Sequence, residues 1–407
     1  MRCKSLSFLA SALAALAFTA CNAAPEQPQR ELPEITELEQ GLVESSNAFG
    51  FELFEQVDEP GENTFISPLS VSIALGMVLN GAGGETFEAV RATLNLDEQS
   101  LAECNTGYHN LTDVLQGVDP LVQMEIANSV WIQQGFEVLA DFIQRLADSF
   151  YAVAETLDFA DPASVDVING WVDEKTHGKI DSILDAIPPY AVMYLINAVY
   201  FKGDWTTQFD PDETRDAPFH LADGGQASVP LMHLHSDLAH LQNEEVQAVE
   251  LPYGDGLFAM TVLLPAGSSD IDALAAELDA EAWAAWHAAM HVGEAHLYLP
   301  SFELEWEASL NEALQSLGMG IAFGPGADFS GINPDAGLAI TQVKHKTYVK
   351  VDEEGTEAAA VTSVEFGTTS TQQPETFTMR ADRPFLFVIH ERSTGALLFM
   401  GKIVDPS

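Results

Sequence analysis

From Ile35 onward apolar residues recur at helical spacing. Ile35, Leu38, Leu42, Val43, Phe49, Phe51, Leu53 and Phe54 mark an amphipathic helix. Asn63-Thr64-Phe65-Ile66-Ser67-Pro68 punctuates a boundary, and Pro68 after Ser67 sits where proline opens a helix. Leu69 to Leu79 is almost wholly apolar and predicts a buried helix. Gly81-Ala82-Gly83-Gly84-Glu85-Thr86 breaks it; without a lysine this is a turn, not a phosphate loop. Val122 to Ile132 predicts a strand, and Phe142 to Phe150 and Val165 to Lys175 predict helices. Val192 to Phe201 has the β-branched, aromatic run of a central strand covered on both faces. Phe258 to Leu264 and His296 to Leu304 alternate, and Leu274 to Met290 is an Ala-rich helix. Leu338 to Val351 predicts a strand, as do Phe385 to Ile389 and Leu397 to Ile403, which flank a hairpin turn at Glu391 to Gly395. With no repeat and no linker after residue 45, one α+β domain of mixed sheets and surrounding helices is expected over 45–407.

The first residues belong to no such pattern. Arg2 and Lys4 precede an apolar run from Leu6 to Phe18, which is too short to span a bilayer and predicts a secretory signal over 1–20. Cys21 directly after Ala20 resembles the lipidation box of bacterial lipoproteins, although Phe18 stands where leucine is usual; plain cleavage nearby is the alternative. Residues 21–44 then read as a flexible tether, with Pro, Gln and Glu crowded between Ala23 and Glu34. A secreted or cell-envelope location follows, with lipid the only route to a membrane. Cys3 lies in the signal, so Cys104 is left without an intrachain partner and reads as a structural thiol.

Charge narrows the partners. There are 62 Asp plus Glu against 16 Lys plus Arg, for a net charge of −46. Such a field repels phosphate backbones and anionic lipid, which excludes nucleic acid as a partner. No G-x-S-x-G, H-E-x-x-H or paired C-x-x-C occurs, so nothing argues for an enzyme. His287 and His291 stand i, i+4 with no third ligand in view, and His233, His235 and His240 form a loose group read as surface imidazoles. No metal and no cofactor is expected.

The informative stretch is Glu353-Glu354-Gly355-Thr356-Glu357-Ala358-Ala359-Ala360-Val361-Thr362, followed by a Thr-, Ser- and Gln-rich segment to Thr378. Glycine and three alanines after a strand suit a hinge, and the rest suits an exposed loop. Alternate residues from Thr356 (Thr356, Ala358, Ala360, Thr362, Val364, Phe366, Thr368) are uncharged, while Glu357 and Glu365 fall in the other set. A strand has a side-chain period of two, so this loop could enter a sheet with one face buried and both acids outside.

This hinge resembles that of inhibitory serpins. The likeness extends through Asn63-Thr64-Phe65-Ile66-Ser67-Pro68-Leu69-Ser70, Ala127-Asn128-Ser129-Val130-Trp131, Ile168-Asn169-Gly170-Trp171-Val172, Asn197 to Trp205, Asp328-Phe329-Ser330-Gly331-Ile332, Arg383-Pro384-Phe385-Leu386-Phe387 and Leu398 to Lys402. The resemblance implies three β-sheets, about nine helices and a reactive-centre loop over about 353–379. It also implies suicide inhibition: a protease forms a covalent acyl-enzyme with the bait, and the cut loop inserts into the large sheet. Glu354, Gly355, Thr356, Glu357, Ala358, Ala359 and Ala360 then correspond to the hinge; Ser67, Ser70, Asn197 and His345 to a hydrogen-bonded shutter beneath the sheet; and Trp205 to the point where insertion begins. Ser301 stands where many relatives have a lysine that pairs with Glu353. Family spacing puts the cut at Thr369-Ser370, within a window from Phe366 to Gln373. With no Lys or Arg between Gly355 and Met379, the expected targets are elastase-, subtilisin- or chymotrypsin-like serine proteases, or a papain-like cysteine protease, but not trypsin-like ones. A monomer is expected. The alternative is a non-inhibitory serpin acting as a binding or chaperone-like protein.

Overall fold

The computed structural model describes residues 35–96, 99–267, 270–356 and 376–407. The expected signal and Cys21 lie outside them. Helix α1 (Glu37–Val57) opens on a capping box in which Thr36 and Glu39 satisfy each other's backbone N–H groups. Residues 37–44 are therefore helix rather than tether, and Leu42 and Val43 are buried. Strand β1 (Thr64–Ile66) leads into α2 (Pro68–Leu79), which is capped by the Ser67 hydroxyl and buried on almost every side. Helix α3 (Gly84–Thr93) begins inside the expected turn, with Gly83 as its N-cap. Helix α4 (Leu101–Gly117), with a Ser100–Glu103 capping box, precedes strand β2 (Val122–Gln133).

Helix α5 (Ala140–Phe150) ends on Tyr151 in the left-handed region, and the chain turns back as β3 (Val153–Leu157). Helix α6 (Ala163–Lys175) precedes the central strand β4 (Met193–Asp204). Strands β5 (Arg215–His220), β6 (Gln226–Gln242), β7 (Val246–Tyr253) and β8 (Phe258–Pro265) follow. The Ala-rich stretch is two helices, α7 (Ile271–Glu277) and α8 (Ala280–Ala289), because Asp279 adopts extended backbone and caps the second. Strands β9 (His291–Pro300) and β10 (Phe302–Ser309), helix α9 (Asn311–Ser316) and strands β11 (Lys344–Val351), β12 (Gly355–Thr356), β13 (Phe377–Arg380), β14 (Phe385–Glu391) and β15 (Leu397–Ile403) complete the order.

The strands form two hydrogen-bonded sheets. One has six strands in the order β10-β11-β12-β4-β2-β3; the other has nine, β1-β15-β14-β8-β7-β6-β9-β13 with β5 on β6. The expected three sheets appear as two because the 17-residue β6 pairs with β5 at one end and β7 at the other, carrying one ladder into the next. The main core lies between the sheets and around α2. A smaller apolar cluster, with Trp131, Ile168, Val172, Ile180, Leu184 and Ile196, seats α6 and the segment after it on the outer face of β4.

Candidate functional site

The six-stranded sheet is parted. Among the described residues, strands β4 and β11 are joined only at one end, through β12, where Gly355 and Thr356 face Asp204 and Gly203, and Val351 faces Thr356. Beyond that bridge β4 and β11 flank a cleft of about 580 Å³, lined by Leu195, Asn197 and Val199 on one side and His345, Thr347 and Val349 on the other. Strand β11 starts at Lys344, later than the periodicity predicts. Its partner β10 ends at Ser309, opposite Lys344, so residues 338–343 have no ladder to join.

Gly355 is held by close approach. A Cβ there would lie 2.2 Å from the Gly203 carbonyl oxygen, so only glycine lets β12 sit against β4. Thr356 points inward, its hydroxyl 2.6 Å from that of Tyr253. Trp205 marks the same end. Its ring stacks on Tyr253 at 4.3 Å, its indole N–H donates to the Asp352 carbonyl at 3.0 Å, and its backbone N–H donates to the Glu354 carbonyl at 2.9 Å. Glu353, which lacks the lysine many relatives have, accepts a hydrogen bond from the Thr214 hydroxyl at 2.7 Å.

The four shutter residues form one network across the cleft. The backbone N–H of Ser67 donates to His345 Nε2 at 3.0 Å, and its hydroxyl donates to the Leu398 carbonyl at 2.8 Å. The Ser70 hydroxyl donates to Asn197 Oδ1. Asn197 Nδ2 donates to Asn128 Oδ1 at 2.8 Å, and Asn128 Nδ2 donates to the Phe150 carbonyl at 2.7 Å. Because Nε2 of His345 accepts from a backbone amide, the ring is neutral there. Burial pushes its imidazole down to about 4. Sequence reasoning missed Asn128, although it lies in one of the quoted motifs. Its role depends on the β2–β4 register, which sets Asn128 opposite Asn197.

Over the cleft runs a second, ionic layer. Lys344 reaches Asp185 at 3.1 Å and Lys346 reaches Asp181 at 3.5 Å, while Glu307 and Glu305 on β10 hold the same lysines from the other side. Asp181 and Asp185 belong to the segment that packs on β4 through Ile180 and Leu184. These pairs tie β11 to the covering of β4.

Other expected positions are placed differently. Glu357, Ala358, Ala359, Ala360, the window from Phe366 to Gln373 and the Thr369–Ser370 bond lie outside the described residues. His287 is in α8 but His291 opens β9, so they share no helix face. His240 is buried and stacks on Phe377 at 4.4 Å, unlike the surface imidazole expected. Cys104 is buried, and burial raises its thiol to about 11, as befits a structural residue.

Beyond the Gly355–Thr356 bridge, β4 and β11 stand apart over the hydrogen-bonded network of Ser67, Ser70, Asn197 and His345. The family model described as serpin (serine protease inhibitor) matches residues 44–406. A serpin-like protein of Thermococcus kodakarensis is 34% identical over 373 residues, covering 90% of this chain and 86% of that one. The native-state structure of tengpin, a thermophilic serpin, matches with a TM-score of 0.83 at 32% identity, covering 92% of this chain and 96% of that one. Human thyroxine-binding globulin complexed with thyroxine matches with a TM-score of 0.83 at 28% identity, covering 91% and 100%. The chain belongs to the serpin family, whose members are in general protease inhibitors that form covalent complexes with their targets.

Proposed function

We propose that this serpin is a suicide-substrate inhibitor of serine endopeptidases that works by inserting its cut loop between β4 and β11. The observation that carries this reading is the open cleft with β12 seated at its mouth. In the proposed inserted state, continuing the β12 register would set Ala358 beside Phe201 and Val349, Ala360 beside Val199 and Thr347, and Thr362 between Asn197 and His345. The inward set would then be the uncharged one, meeting Phe201, Val199 and Val349 and, at Thr362, the polar shutter.

The protease serine attacks the carbonyl of the scissile residue, Thr369 by family spacing, and expels the Ser370 amine, leaving an acyl-enzyme. Insertion from Thr356 to Thr369 moves the ester by about 45 Å, at ~3.3 Å per residue of strand. The protease is dragged along the sheet, and its site is distorted before water can attack. The uncharged bait favours elastase-, subtilisin- or chymotrypsin-like targets, with a papain-like cysteine protease as a further class. The N-terminal segment supports export and anchoring through lipid on Cys21.

The test mixes the purified protein with elastase, subtilisin, chymotrypsin, papain and trypsin and resolves the products on denaturing gels with mass spectrometry. A covalent complex with any but trypsin is expected, and the released C-terminal peptide fixes the bond. Loop cleavage by all of them with no complex overturns the inhibitor reading in favour of a binding protein of the kind that thyroxine-binding globulin represents.

A further inference from the structure

Away from the parted sheet, a buried polar cluster crosses the nine-stranded one. Glu250 on β7 lies opposite Thr261 on β8, and β8 pairs with β14, which carries His390. Helix α8 lays His287 over the same spot. Glu250 and His390 are 3% and 2% exposed, in a protein whose acids are otherwise mostly at the surface. His287 Nε2 is 3.0 Å and His390 Nε2 is 3.4 Å from one oxygen of Glu250, Oε2. The three ligand atoms lie within 4.8 Å of one another. The other oxygen, Oε1, is held at 3.2 Å by the Arg392 guanidinium. Thr261 brings its hydroxyl to 3.1 Å from His390 Nε2.

We propose that Glu250, His287 and His390 form a binding site for a divalent transition metal, zinc by its ligand chemistry. Two imidazoles and a carboxylate are a common zinc set, with bond lengths of about 2.0–2.2 Å. Ligand atoms around such an ion stand roughly 3.3 Å apart, close to the two measured separations. Arg392 acts as an outer partner, fixing the carboxylate so that Oε2 faces the rings. Burial raises the Glu250 carboxyl, but hydrogen bonds from His287 and His390 and the charge of Arg392 outweigh it, so the group stays ionised. Burial lowers His390, with Glu250 pulling the other way, which favours the neutral ring a metal needs. Zinc replaces the hydrogens between Oε2 and the two rings, and each ring then carries its proton on Nδ1. The His287 side chain is 41% exposed and gives the ion a route in from solvent. The second histidine group does not converge in this way: His233 and His296 approach at 3.1 Å, but Glu213 and Glu294 bind the far sides of His233 and His235.

The test uses the full chain, stripped with a chelator, titrated with Zn²⁺ against a chromophoric chelator and with Co²⁺ while the visible spectrum is recorded. One ion per chain is expected, with the strong visible absorption of low-coordinate cobalt and a melting temperature that rises with Zn²⁺. His287→Ala, at a half-exposed position that leaves the fold intact, should weaken binding at least ~10–100-fold, the loss that even an outer partner causes. His291→Ala should bind as the parent does. No saturable binding overturns the proposal. So does binding that survives His287→Ala and is lost in His233→Ala/His296→Ala.

Discussion

The hydroxyls of Thr356 and Tyr253 meet at 2.6 Å, so the first inward residue of the loop already faces the core. Tyr253 is fully buried and stacked on Trp205, so this position is closed on the core side. Thr356→Arg puts a charge with no counter-ion into that place. Burying an unpaired charge costs several kcal/mol, so the arginine should hold β12 out of the sheet before cleavage, and insertion, which must then bury it, should slow more than tenfold. The variant should still be cleaved by the target protease but yield little SDS-stable complex. Wild-type yields of complex from Thr356→Arg would separate inhibition from insertion at this end of the sheet.

The register also gives Glu357 neighbours. It would lie between Lys202 on β4 and Lys350 on β11, continuing the pairing of Thr356 with Gly203 and Val351. Lys350 now pairs with Asp352 at 3.0 Å on a half-exposed surface. In a chain with 16 Lys plus Arg, two flanking this one acid make a specific receiving point. Glu357→Lys should raise the insertion barrier by up to about 1 kcal/mol, or roughly fivefold in rate, as exposed pairs do. The stoichiometry of inhibition should rise accordingly, and Lys350→Glu in the same chain should restore part of it. If the double variant is worse than the single one, the strand enters in another register.

Much of this architecture is legible in the chain because period and capping are local. Ser67-Pro68 announces α2, and the apolar run at Val192 announces the strand beside the cleft. What the sequence hides is pairing. Asn128 joins the shutter only because β2 and β4 place it opposite Asn197. Residues 338–343 have strand-like periodicity but no ladder, since β10 stops at Ser309. Glu250 meets His287 and His390 only through the order β7-β8-β14 and the helix laid across it. The start of α1 is local, yet the Thr36–Glu39 box is masked by the Pro- and Glu-rich stretch before it. Ser67, Ser70, Asn197 and His345 were nameable through family resemblance alone.

His345 makes the shutter sensitive to acid. Burial holds its imidazole at about 4, against about 6.5 when solvated. Because the folded value is depressed, any open or unfolded state binds the proton first. The closed shutter keeps its full stability above about 6.5 and loses it as pH falls from there towards 4. At pH 5 the loss is roughly 2 kcal/mol, about thirtyfold in the open population. Spontaneous loss of inhibitory activity, the sign of uncut loop entering the sheet, should therefore be faster at pH 5 than at pH 7. His345→Gln keeps an acceptor for the Ser67 amide and should flatten that dependence. An equal acceleration in the glutamine variant would assign the effect to surface carboxylates instead.

Insertion must also lift the cover from β4, and ions hold it down. Asp185–Lys344 at 3.1 Å and Asp181–Lys346 at 3.5 Å cross the cleft, while Ile180 and Leu184 supply apolar contact beneath. The two aspartates are 94% and 82% exposed, so each pair contributes little on its own and is screened by salt. Asp181→Asn/Asp185→Asn removes only the crossing partners and leaves both lysines with Glu305 and Glu307. Spontaneous insertion in the double variant should be about two- to tenfold faster at low ionic strength. Half-molar salt should bring the parent towards the variant and leave the variant nearly unchanged, because the Debye length then falls to roughly 4 Å. Equal rates at low salt would assign the closure to Ile180 and Leu184 alone, and Lys344 and Lys346 would then serve to tie β11 to Glu307 and Glu305 of β10.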